Sequence, residues 1–77
     1  MIIALRIPSL TFVSLSGAKV HVRDTVYGAA TMCGRDIPEG TPALPERKIA
    51  RERLCGRCYA SLRTFGSGQV RIEEDKS

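Results

Sequence analysis

The chain has 77 residues, with 12 Lys and Arg against 8 Asp and Glu, and only 5% of its residues are aromatic. That suits one small domain whose core is too modest to hold it without help from a disulfide, a metal or a partner. Its three cysteines are the wrong number for a secreted disulfide framework, and no run approaches the roughly 18 to 20 apolar residues of a membrane span.

Residues 1–18 are expected to form N-terminal strands. Leu5 and Ile7 precede Pro8, and Leu10 and Phe12 then alternate with Thr11 and Val13, the period of a half-buried pleated surface. Pro8 lacks a ladder donor, so the strand breaks there or lies at an edge. Residues 1–15 are apolar and Ser16-Gly17-Ala18 has the look of a cleavage site. A secretory leader is nevertheless not expected, because no basic residue precedes the apolar run and Arg6 and Pro8 interrupt it. Gly17 is a natural turn. Residues 19–23 alternate again, with Val20 and Val22 on one side and His21 on the other. After a loop at 24–28, residues 30–32 are expected to return as a strand that ends in Cys33-Gly34-Arg35.

Residues 36–45 carry Pro38, Pro42 and Pro45 and read as an exposed connecting loop. Residues 46–54 fit neither the helical nor the strand period, which leaves a short helical turn or an extended approach to Cys55. Residues 55–65 are the clearest helix. Cys55, Cys58, Leu62 and Phe65 share one face with Tyr59 beside them, while Arg57, Ala60 and Thr64 lie opposite. Gly66 is placed to end it. Residues 70–72 are expected to add a short edge strand, and the acidic tail 73–77 to fray.

The chemistry gathers around Cys55-Gly56-Arg57-Cys58. His21 and Cys33 are the only other His and Cys, giving His-x11-Cys-x21-Cys-x2-Cys. Three thiols and one imidazole form one of the closed ligand sets of structural zinc sites. A lone His in a short strand is usually an ordinary residue, but three thiols otherwise lack a fourth ligand. Asp24 and Asp36, the nearest substitutes, are harder partners for thiolate-bound zinc. Cys33 also reads as a small buried hydrophobe, although Gly34 after it lets the backbone turn tightly beneath a metal. A helix N-terminus favours thiolate at Cys55 and Cys58. One zinc with three thiolates would bring the formal charge of +4 to about +3. Metal-bound thiols fit a reducing, cytoplasmic compartment.

The expected architecture is a single α+β domain over residues 1–77: an N-terminal β-meander, a knuckle-like hairpin and a C-terminal helix, joined at one structural Zn2+. A hairpin followed by a helix that opens on a C-x2-C pair is treble-clef-like, an architecture that hosts many functions. His21, Thr31-Met32-Cys33-Gly34-Arg35 and Cys55-Gly56-Arg57-Cys58, with Leu62 after them, also resemble a family of small, mostly uncharacterised zinc-binding proteins of actinobacteria and their bacteriophages. The resemblance covers roughly residues 19 to 65 and leaves the N-terminal strands and acidic tail unmatched. It implies zinc binding, for which His21, Cys33, Cys55 and Cys58 are the ligands available, and a small factor acting on host transcription or another host process.

A non-catalytic binding protein is therefore expected, with no small-molecule substrate and no membrane. Protein–protein contact is the leading expectation and nucleic-acid binding the alternative, and each has a candidate surface. Arg47, Lys48, Arg51, Arg53, Arg57 and Arg63 could meet nucleic acid, through phosphate rather than bases because the helix offers few base-reading side chains. They equally suit a solvated face. Stacking on single strands would need exposed aromatics, and of Phe12, Tyr27, Tyr59 and Phe65 three look like core. The apolar N-terminal strands could instead dock on a protein such as RNA polymerase or form a homodimer, unless they fill this domain's own core. A thiol–disulfide oxidoreductase is the minor alternative for Cys55 and Cys58. Its usual βαβ surroundings are missing, and Cys33 and His21 complete a metal set instead. No Gly-rich phosphate loop is present.

Overall fold

The computed structural model describes residues 1–7, 10–15, 17–24, 29–65 and 69–73, excluding the Asp24 and Phe65 side chains. The expectations for Tyr27, the Phe65 side chain, Gly66 and the tail beyond Glu73 fall outside them.

Among the described residues, two antiparallel sheets and one α-helix make an α+β fold. Strand β1 (Ile2–Leu5) lies between β4 (Lys48–Ala50) and β5 (Val70–Glu73) in a three-stranded sheet. Residues opposite each other share a sheet face. Ile3 is opposite both Ile49 and Ile72, and Leu5 is opposite Val70. An apolar row results, buried at Ile3 and Ile49 and 38% exposed at Ile72 on the edge. Strands β2 (Leu10–Ser14) and β3 (Val20–Asp24) form a separate two-stranded ribbon. On it Phe12 opposes Val22, and Val13 opposes His21.

The expected N-terminal meander does not form. β1 and β2 join different sheets, because the chain bends at Ile7 just before Pro8. Both backbone edges of β1 are then filled by strands from much later in the sequence. The strand expected at 30–32 is also absent, leaving only isolated bridges from Arg23 to Thr31 and from Ala30 to Asp36. The chain turns there instead: Gly34 N–H donates to the Thr31 carbonyl at 2.9 Å and Thr31 N–H to the Arg35 carbonyl at 2.8 Å. Gly34 has φ +91°, a region costly for any residue with a Cβ.

Residues 36–45 carry no strand or helix, as expected, apart from that bridge at Asp36. They are not wholly exposed, since Ile37 is buried and Leu44 N–H donates to the Phe12 carbonyl at 2.8 Å. Residues 46–54 hold both of the alternatives, strand β4 and then a single 3-10 turn over Arg51–Arg53. Helix α1 (Gly56–Phe65) buries Cys58 and Leu62 and exposes Arg57, Ala60 and Thr64. Strand β5 matches the expected edge strand but includes Glu73, so the strand runs one residue into the segment read as tail. Both sheets and α1 close on one core, built around Ile3, Phe12, Val22, Ile49, Leu54 and Leu62.

Candidate metal centre

The centre grows from the free edge of β3. That strand pairs with β2 on one side only, which would strand alternate backbone groups on the other. The cysteine-bearing segments take them. Cys55 N–H donates to the Val20 carbonyl at 2.8 Å, Met32 N–H to the Val22 carbonyl at 2.8 Å, and Val22 N–H to Cys58 Sγ at 3.5 Å. Strand alternation puts Val20 and Val22 in the core and turns His21 to the opposite face, where it is 3% exposed. Ser61 on α1 closes the assembly by donating to the Met32 carbonyl at 3.0 Å.

His21, Cys33, Cys55 and Cys58 come together, with one ligand atom from each lying within 4.8 Å of the others. His21 Nδ1 is 3.5 Å from Cys33 Sγ and 3.7 Å from Cys58 Sγ. Bonds to zinc of about 2.0 Å from nitrogen and 2.3 Å from sulfur make tetrahedron edges of roughly 3.5 to 3.8 Å. The two nitrogen–sulfur spacings match those edges, and the donor set suits a tetrahedral ion. All three cysteines are free. The four residues can hold a metal ion, as the sequence spacing suggested, and Asp36 is not part of the group.

The surroundings are arranged for negative sulfur. Thr31 Oγ1 accepts the Arg35 N–H at 2.9 Å and lies 3.0 Å from Cys33 Sγ, to which its own proton can be given. Burial opposes charge on Cys33, but hydrogen bonds led by Thr31, with Cys58, the Arg35 backbone and Cys55 behind it, hold its pKa below the ordinary value. Cys58 goes the other way. Burial pushes its thiol up to about 12, against the pull of the Val22 N–H. Fully enclosed, it is the thiol that most needs a neighbouring cation before it can ionise. Burial first, and the Arg35 charge second, lower the pKa of His21, which favours the neutral ring a metal requires.

The basic residues picked from sequence stand in different surroundings. Arg57 borders the centre. The Arg51 and Arg63 guanidinium carbons lie 4.2 Å and 5.8 Å from the Tyr59 ring centroid. Arg47 reaches the Leu5 carbonyl at 3.5 Å, and Lys48 and Arg53 are exposed. Three contributors escaped sequence reasoning: the Thr31 hydroxyl, and Lys19 and Arg35 at the open side of the centre. A hydroxyl two positions before a ligand Cys, and cations flanking His21 and Cys33, were the available signals.

Comparison with protein-family models, with curated proteins and with solved structures gives no match in any of the three. Geometry alone thus defines the class: a small α+β fold with a three-thiol, one-imidazole cluster able to hold a metal ion. No helix among the described residues is long and apolar enough to cross a membrane.

Proposed function

We propose that this chain is a zinc-stabilised, non-catalytic binding module, treble-clef-like in the way two cysteine-bearing segments and a strand converge on the ion. The observation that carries the proposal is the spacing of the four donor atoms, all within 4.8 Å and with nitrogen–sulfur edges of 3.5 and 3.7 Å. Thiolate-rich sets of this kind favour zinc among the common hard and borderline ions. Four protein ligands leave no position for water or substrate, which is the signature of a structural rather than a hydrolytic centre. A reducing, cytoplasmic setting suits three free thiols kept for a metal.

The partner contact is assigned to polar, basic surface. Ile3, Leu5, Leu10 and Phe12 of the apolar N-terminal strands are spent inside the chain's own core. Met1, Ile7 and Ile72 are the exposed large apolar side chains among the described residues. Three side chains cover little of the roughly 800 Å² per partner that a stable protein interface or homodimer buries. The motif resemblance to small actinobacterial and phage proteins adds a small regulatory factor as the biological setting.

Native mass spectrometry of protein purified without added metal tests the proposal. One zinc per chain is expected, with all three thiols protected from alkylation until a chelator is added. A metal-free protein with a Cys55–Cys58 disulfide that exchanges with glutathione would replace it with thiol–disulfide chemistry.

A further inference from the structure

The centre is packed on its inner side, where Cys58 and His21 are buried, and open on the other. A cleft of about 280 Å³ runs over the half-buried Cys33 and Cys55, and Lys19, Arg35 and Arg57 line it. No Asp or Glu lines it among the described residues. None of the three cations takes part in an ion pair among those residues, where the pairing found is Arg71 with Glu73. Lys19 Nζ donates to the Glu52 backbone carbonyl at 2.6 Å, which positions the ammonium without neutralising it.

Charge counting separates two roles for these cations. Zinc with three thiolates and a neutral imidazole carries one net negative charge. Balancing it would occupy one of the three cations, and two positive charges remain facing an open cleft. Uncompensated like charges brought together on a concave surface repel one another, and an anion relieves that repulsion.

We propose that this cleft binds backbone phosphate of duplex nucleic acid, with Lys19, Arg35 and Arg57 as the contacting groups. Arginine forks match phosphate oxygens in a bidentate way, and lysine adds a point charge. The cleft lies just below the roughly 300 to 1,000 Å³ that encloses a small-molecule ligand, so it suits a phosphate presented from a larger molecule. Stacking on single strands needs free aromatic platforms, and among the described residues Tyr59 already carries Arg51 and Arg63 against its ring while Phe12 is buried. Phosphate contact fixes position without reading sequence. Because Cys33 and Cys55 form the floor, this inference rests on the proposed metal-stabilised fold.

Fluorescence anisotropy with a short labelled duplex DNA and the zinc-loaded full chain tests it. The two surplus positive charges predict an affinity that falls roughly 12-fold between 50 and 200 mM salt. Arg57→Gln removes one of them, so the fall shrinks to about 3-fold, with zinc content and melting temperature unchanged. Arg35→Lys keeps the charge and should keep the salt dependence, as should Arg6→Gln, which lies outside the cleft. Zinc-replete Arg57→Gln and Arg35→Gln proteins that bind duplex like the wild type would overturn the site. So would an equal loss in Arg6→Gln, competition by polyglutamate as effective as by duplex, or binding of inorganic phosphate with no binding of duplex. Loss of the metal reading is told apart by mass: there the wild-type protein itself would hold no zinc.

Discussion

The two ends of this molecule are held by different physics. The β4-β1-β5 sheet rests on interchangeable apolar contacts, with Ile3 set across from Ile49, Leu5 across from Val70, and all four against the core. The β3 edge carries four candidate metal donors and the backbone hydrogen bonds that aim them. Stability in the first region is a sum of many small terms and degrades gradually. In the second it would be concentrated in the proposed ion, whose removal would leave three thiols and an imidazole facing each other. Cys58 belongs to both, since its sulfur is a candidate ligand and its side chain is part of the core. Damage at the metal end should therefore reach the sheet, while damage in the sheet can spare the metal.

The largest effect should come from the shared residue. Cys58→Ser is expected to lose the metal and unfold the chain, because a structural zinc contributes roughly 10 kcal/mol or more, comparable with the whole stability of a small domain. Collapse of amide dispersion in an NMR spectrum would show it. A Cys58→Ser protein that keeps metal and melting temperature would remove the distinction between the two regions.

Acid should attack the same end. The folded-state pKa of His21 is lowered, by burial and then by Arg35, so the unfolded chain binds this proton more readily than the folded one. The His21 contribution to stability is thus complete above pH 6.5, falls as the pH drops below it, and levels off beneath the folded pKa. Proton competition for the metal acts in the same direction. Melts at pH 7.5 and pH 5.5 should show the lower stability at the lower pH.

In the apolar region the response should be graded. Phe12→Ala is expected to cost about 3 to 5 kcal/mol, read as a lower denaturant midpoint, while the folded fraction still carries its full metal. Thr31→Val should be milder, costing about 1 to 3 kcal/mol for the lost partner of the Arg35 N–H. It should also weaken metal binding by about 10- to 100-fold in a chelator competition, an effect Phe12→Ala should not share. Gly34→Ala is the smallest. Its added Cβ meets nothing within 4 Å, so the cost is the positive φ alone, about 1 to 2 kcal/mol, and melting should shift down by a few degrees.

The same contrast explains what the sequence could reveal. Soft ligands are rare and few alternatives compete, so His21, Cys33, Cys55 and Cys58 could be assembled from spacing and composition. The helix was legible because Cys58 and Leu62 repeat at its period. Strand partners were not, because the alternation in β1 says which side chains face inward but not that residues 48–50 and 70–73 supply its neighbours. The strand expected at 30–32 gave way to a turn for a local reason: the Thr31 hydroxyl captures Arg35 N–H and offers the chain an alternative to a ladder. Segment 46–54 matched no single period because it holds a strand and a 3-10 turn in succession.

The most direct test of the metal's hold on the whole fold is far-UV circular dichroism recorded during stepwise chelation, with released zinc measured at each point. The account predicts that ordered structure disappears in proportion to zinc lost and returns when zinc is restored. Complete release of zinc with the spectrum unchanged would contradict it.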